Sequence, residues 1–267
     1  MFSNFDKKIF FFLLFPPIIG ILAIGFNFLE IKQNITNTTQ IASFEKIEQL
    51  SNIVHHLQLE RGITTRFVAS NNREFAHELA KQRANSDESL QKILQNKSDN
   101  LQIVSTISKN ITIMRQNIDY AQITKEEIFL QYSDIINNLF EQYLQIMYNS
   151  EISHIKNEFW NHYWVIISKE NLAQLRAKIT MLIRYNEKKQ NMIVSAIGNL
   201  ELFNKSLAVF KTISSTNTIN ALNKYFEQNL YDEILEIANH IVTNNKTDID
   251  SSFWFDTSSL LVDNLHF

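Results

Sequence analysis

The sequence predicts an all-α protein, and three observations carry that prediction. First, turn-formers are scarce. Both prolines, Pro16 and Pro17, and two of the four glycines, Gly20 and Gly25, precede residue 30, which leaves Gly62 and Gly198 for the rest of the 267-residue chain. Sandwiches, barrels and doubly wound sheets need frequent tight turns, and phosphate-cradling loops need clustered glycines, so all are excluded. Second, Ile47, Leu50, Val54, Leu57, Arg61, Thr64 and Val68 fall at alternating steps of three and four, the spacing of a helix-bundle seam. Third, the breaks between helical stretches are polar runs such as Asn71-Asn72 and Ser214-Ser215-Thr216-Asn217. Cysteine is absent, which removes disulfides, thiolate metal sites and a cysteine nucleophile. The net charge of −3 and the lack of a basic run give no attraction to nucleic acid.

The first element is an apolar run from Ile9 to Leu29 without a charged residue. At about 1.5 Å rise per residue it is long enough for a hydrocarbon core of roughly 30 Å. Lys7 and Lys8 precede it and Glu30 follows, so the positive-inside rule places residues 1–8 in the cytoplasm, 9–29 in the cell (inner) membrane and 30–267 outside the cytoplasm. A cleaved signal peptide is the competing reading. The run exceeds the usual signal core of about 7–15 residues and no small-x-small site follows it. Pro16-Pro17 should kink the span.

Beyond the span the seam defines the first exported helix. Further helices are expected at about 73–95, at 101–118 after an Asp99 cap, and from a Thr124/Glu127 capping box through about Tyr148. Others follow at 150–185, 188–213, 219–242 with a break near Asn229, and 250–267. Six to eight helices exceed one four-helix bundle, so two stacked four-helix bundles sharing long helices are predicted.

Two arginines violate the seam. Arg61 stands between Leu57 and Thr64, and Arg176 stands in the series Val165, Lys169, Leu172, Arg176, Ile179, Ile183. A guanidinium facing a bundle interior stays charged and needs a partner. Glu60 points about 100° away from Arg61 and is a poor partner on the same face. Two such forks facing one another across helices would form a dry pocket for a small planar anion. Thr64 or Thr65 would donate a hydroxyl and Gln58 would orient the Arg61 guanidinium from the preceding turn. The alternative is that each arginine pairs with a carboxylate of a neighbouring helix. Gly62, costly inside a helix, should mark the close approach of another element. Glu74/His77 and Glu151/His154 carry the Glu-x-x-His spacing of di-metal bundles, but two further inward glutamates are lacking, so no metal or other cofactor is expected. Phe159, Trp160, Tyr163 and Trp164 read as an aromatic cluster at a bundle junction. Trp254, Phe255 and Phe267 read as rings near a membrane interface. No Ser/His/Asp arrangement can be argued, and the chain is not expected to be an enzyme.

Leu57-Gln58-Leu59-Glu60-Arg61-Gly62-Ile63-Thr64 resembles the signature run of the nitrate- and nitrite-sensing (NIT) domain family. The resemblance continues through Gln82-Arg83-Ala84-Asn85-Ser86-Asp87, through Leu101 to Tyr132 with Arg115 and Ile118, through Glu170 to Ala177, and into the closing stretch from Trp254 to Leu265. It covers about residues 50–265. It implies an all-helical sensory domain that binds nitrate or nitrite between helices, with Arg61 and Arg176 matching the family's ligand arginines. Leu261 stands where the family often has a basic residue. On this footing the sequence is expected to be the extracytoplasmic, homodimeric ligand-sensing part of a transmembrane chemoreceptor or sensor kinase. The alternatives are a membrane-anchored helical scaffold whose arginines pair with carboxylates, and a di-metal bundle protein.

Overall fold

The computed structural model describes residues 42–68, 70, 74–95, 101–149, 156–185, 190–228, 231–244 and 249–264. The chain forms two compact units, Met1–Glu45 and Lys46–Phe267. In the first, the described residues 42–45 are helical, and the expected membrane span at 9–29 lies outside the described residues. The second unit carries the rest of α1 (46–68) followed by α2 (Ala76–Gln95), α3 (Leu101–Asp119), α4 (Lys125–Asn149), α5 (Lys156–Tyr185), α6 (Gln190–Ile213), α7 (Thr216–Gln228), α8 (Tyr231–Asn244) and α9 (Ser251–Asn264). No strand occurs among the described residues. The all-α prediction holds.

Helix starts follow local chemistry. At α4, the Glu127 amide donates to Thr124 Oγ1 at 3.2 Å while the Thr124 amide donates to the Glu127 carboxylate at 2.7 Å, the reciprocal box the sequence predicts. At α9, Asp250 Oδ1 accepts from the amides of Ser252 and Phe253, both at 2.9 Å. The expected loop at 214–217 is shorter than the sequence suggests. Ser215 Oγ accepts the Thr218 amide at 3.2 Å, so Ser215 caps α7 and Thr216 and Asn217 are already helical. α7 ends at Gln228 and α8 starts at Tyr231, and the expected break near Asn229 lies outside the described residues.

Two apolar cores lie along this unit, and α5 contributes to both. The first gathers Leu50, Ile53 and Leu57 of α1, Leu90 of α2, Ile111 and Met114 of α3, Tyr132 and Leu139 of α4, and Phe159 and Ile166 at the start of α5. The second gathers Leu172, Leu175 and Ile179 of α5, Phe203 and Phe210 of α6, Leu222 of α7, Ile234 of α8, and Trp254 and Leu261 of α9. At about 1.5 Å per residue, the 30 residues of α5 are long enough to run past both. α5 is thus a long helix that both cores share. By length and composition α6 could cross a membrane; it buries Ile193, Ala196, Leu200, Phe203, Leu207 and Phe210 in the second core, as a core helix does.

The aromatic group on α5 sits where the first core ends, with Phe159 buried and Trp160, Tyr163 and Trp164 in mutual ring contact. The expectation for Trp254 is corrected. It is buried in the second core and its indole N–H donates to the Arg176 carbonyl at 3.0 Å, because a buried indole donor needs an acceptor. Phe267 lies outside the described residues. Glu74 and His77 are exposed, Glu151 and His154 lie outside the described residues, and no cluster of metal-ligating side chains occurs among the described residues.

Candidate functional site

The signature run on α1 is flanked by α3, α4 and α5, and its polar residues are engaged by all three. Glu60 is fully buried. Its carboxylate receives Arg115 Nε at 2.7 Å and Nη2 at 2.8 Å from α3, and the Tyr132 hydroxyl at 2.7 Å from α4. Arg115 also donates to Asp87 Oδ1 at 2.6 Å and to the Arg83 carbonyl at 3.3 Å. Arg83 itself forks onto Asp119 at 2.8 and 2.9 Å. Burial opposes the charge on Arg115, but the carboxylates of Glu60 and Asp87 outweigh it and hold its pKa above the ordinary value. Burial, reinforced by Glu60, pushes the Tyr132 phenol well above its usual range, so it stays a donor to that carboxylate.

One residue on, Arg61 turns the other way. It is buried and forks onto Glu170 of α5, Nη1 to Oε1 at 2.7 Å and Nη2 to Oε2 at 3.0 Å, and Nη1 also donates to Ser133 Oγ at 3.0 Å. Glu170 receives two further donors, Gln58 Nε2 at 2.9 Å and Gln174 Nε2 at 2.6 Å. The guanidinium lies 5.2 Å from the centre of the Phe129 ring. The sequence singles out Arg61 correctly as a buried seam arginine, and its fork is taken by a carboxylate of a neighbouring helix.

Arg176 is equally buried and keeps different company. Its Nη1 donates to Ser259 Oγ of α9 at 2.8 Å, and its guanidinium lies 4.8 Å from the centre of the Phe255 ring. A Cβ on Gly62 would stand 3.1 Å from Arg176 Nη2 and 3.3 Å from Phe255 Cζ. The bare backbone of Gly62 is therefore what admits Arg176 and Phe255 to α1, as its helix-interior position predicts. Arg61 and the Gly62 seat of Arg176 are consecutive on α1, but the two guanidinium groups are directed to different partners, Glu170 for one and Ser259 for the other.

The other expected site residues find local roles. Thr64 is buried and its hydroxyl lies 3.2 Å from that of Tyr132; since Tyr132 donates to Glu60, Thr64 is the donor here. Thr65 Oγ1 donates to the Arg61 carbonyl at 2.8 Å, a bond back along its own helix. Gln58 orients the Glu170 carboxylate and thereby Arg61, one step more indirect than expected. Sequence reasoning passes over Glu170, Arg115 and Ser133 as partners. A signal exists for Arg115. Once Glu60 is seen to point away from Arg61, a buried glutamate demands a cation from another helix.

The family model for nitrate and nitrite sensing matches residues 52–266. The chain belongs to the NIT family. The solved structure of the NasR transcription antiterminator is similar to it with a TM-score of 0.70, at 18% identity, over 90% of this chain and 69% of that one. At that identity the likeness is one of fold, and it agrees with the all-helical architecture described above. No curated protein matches the chain. Membership makes nitrate and nitrite sensing the general role of this domain, with a small anion as its ligand.

Proposed function

We propose that this NIT domain is the extracytoplasmic sensing part of a transmembrane receptor, a chemoreceptor or sensor kinase, anchored by residues 9–29 and working as a homodimer without catalysing a reaction itself. The observation that carries this reading is the pairing of adjacent α1 positions with α5 and α9, Arg61 with Glu170 and Gly62 with Arg176 and Phe255. A ligand that rearranges those contacts shifts α1, and in sequence α1 follows the apolar run at residues 9–29 after a short connection.

The ligand acts by exchange. Nitrate or nitrite offers a guanidinium the same two-oxygen edge that Glu170 presents, so it competes with Glu170 for the Arg61 fork. Glu170 released from Arg61 keeps Gln58 and Gln174 as donors, which limits the cost of leaving a buried carboxylate without its cation. Arg176 supplies the second positive charge, and Thr64, Thr65 and Gln58 adjust around the bound ion. Moving a receptor from a 1:99 to a 99:1 population would need about 5.5 kcal/mol of differential binding, so a partial shift is expected.

The Arg61–Glu170 pair also favours a second reading, a scaffold in which the buried fork is purely structural. Calorimetry on the full chain with nitrate, nitrite, chloride and acetate separates the two. The sensing reading expects heat with nitrate or nitrite above chloride and acetate, and loss of most of that binding in Arg61→Lys and Arg176→Lys, which keep the charge and lose the fork. No heat from either ion, or undiminished binding in both variants, selects the scaffold. Reporter fusions after Leu29 test the placement, and cytoplasmic reporter activity would overturn it.

A further inference from the structure

A second stripe of α5, Glu170, Gln174 and Lys178 at intervals of four, faces away from Arg176, which stands about 200° round the helix from Gln174. On this side α4, α5 and α6 line an open cleft of about 810 Å3. One wall is apolar, made of Phe129, Met181 and Met192, which form a small cluster with Ala177; Met192 also packs against the second core. Against this wall sits Lys178. Its Nζ donates to Ser195 Oγ at 2.6 Å and to Asn199 Oδ1, and lies 5.3 Å from the centre of the Phe129 ring. An ammonium has three donors, and these two bonds use two of them. None of the ion pairs among the described residues involves Lys178.

We infer that this cleft is a second ligand site, taking a small monocarboxylate whose carboxylate meets Lys178 Nζ and whose apolar body packs on Phe129, Met181 and Met192. The volume falls within the range of about 300–1,000 Å3 typical of organic-ligand pockets, far more than a nitrate ion fills. Exposed Glu126 and Asp134 at the mouth disfavour a ligand carrying several negative charges. Burial, with the nearby charge of Arg61, pulls the Lys178 amine down to about 8 against the partial support of Glu170, so an arriving carboxylate meets a poorly solvated cation.

The site is wired to the ion pair. Lys178 donates to Asn199, Asn199 Nδ2 donates to Gln174 Oε1 at 3.1 Å, and Gln174 donates to Glu170, which holds Arg61. Ser133, which accepts from Arg61, lines the same cleft. A carboxylate on the third Lys178 donor draws the ammonium from Asn199 and so acts on the amide that steadies Glu170. The inference goes beyond the nitrate reading and does not depend on it.

Calorimetry on the full chain with benzoate tests it, beside acetate as a carboxylate without a ring, benzyl alcohol as a ring without a charge, and nitrate. Benzoate should bind at least about tenfold tighter than acetate or benzyl alcohol, and Lys178→Met should weaken it by a similar factor. Should that variant fail to fold, Asn191→Trp, which fills the mouth from an exposed position, decides: it should reduce benzoate binding about tenfold with helical content unchanged. Benzoate no tighter than benzyl alcohol, or binding undiminished by whichever variant folds, overturns the inference. Nitrate heat in the same samples reports the other site, so each reading fails or stands by itself.

Discussion

Glu60 and Arg61 are neighbours in sequence and opposites in circumstance. On the Glu60 side, each carboxylate oxygen meets a donor, Arg115 bridges two acids, and Tyr132 and Thr64 complete a closed set. On the Arg61 side, Glu170 is the single carboxylate bonded to that guanidinium, while Lys178 stands nearby with hydroxyl, amide and ring contacts instead of an acid. The contrast teaches that buried charge in one motif can serve two ends. A network in which both oxygens of the buried carboxylate meet donors fixes α1 to α3 and α4. A cation-rich one, on the proposed reading, lets α5 exchange a protein carboxylate for an incoming anion.

The sharpest way to break the comparison is Glu60→Ala. It leaves Arg115 facing only Asp87 and strips Tyr132 of its acceptor, and removing one partner of a buried pair costs about 3–5 kcal/mol. Urea denaturation should show that loss, and a stability unchanged from the parent would mean the closed network contributes nothing. Glu170→Gln acts on the other side. It keeps the shape but only one accepting oxygen, so one of the Gln58 and Gln174 bonds is lost with half of the Arg61 fork. The loss falls at the lower end of that range, about 3 kcal/mol, and nitrate binding should tighten because the competing charge for Arg61 is gone. Weaker nitrate binding in Glu170→Gln would end the exchange mechanism.

Gly62→Ala is expected to move stability by no more than about 1 kcal/mol. Helix propensity gains about that much, and the new methyl pressing on Arg176 Nη2 and Phe255 takes a comparable amount back. Its informative effect is on the ligand, since nitrate affinity should fall while the melting point hardly changes. The pH dependence of Lys178 tests the cation itself. Its folded pKa of about 8 lies below the ordinary lysine value of 10.5, so between these values the unfolded chain binds more protons and stability rises with pH. Burial raises the tyrosine pKa values, Tyr132 foremost, and their contribution falls away above about pH 10. The window that isolates the lysine is therefore about pH 8 to 10. Subtracting the Lys178→Met profile should isolate the rise, and identical slopes would show that the amine is not perturbed.

Much of this is legible in the order of the residues. Arg61 and Arg176 announce themselves by breaking an aliphatic seam, Gly62 by its poor fit to a helix interior, and Thr124 with Glu127 by spacing alone. The partners are not legible in the same way. Glu170 and Lys178 are ordinary helix residues until α4 and α6 pack beside α5. The Arg61–Glu170 pairing joins α1 to α5 and depends on which helix faces which. Trp254 misleads for a related reason. An aromatic residue near a chain end suits a membrane interface, yet here it answers the carbonyl of Arg176 across the second core. Local pattern says which residues are buried, and only topology says with whom.

The contact of Gly62 with Phe255, and of Arg66 with Asp256 at 3.5 Å, sets an order of events during synthesis. α1 is made before α9, so the seat that Arg176 and Phe255 fill stays open until α9 has emerged. At roughly 5–20 residues per second, that delay is on the order of ten seconds or more. Arg115 and Tyr132 arrive well before Glu170, and Ser259 comes later still. The nascent chain can therefore complete the Glu60 network first and carry the half of the domain that holds it while the ligand-responsive half is still being made.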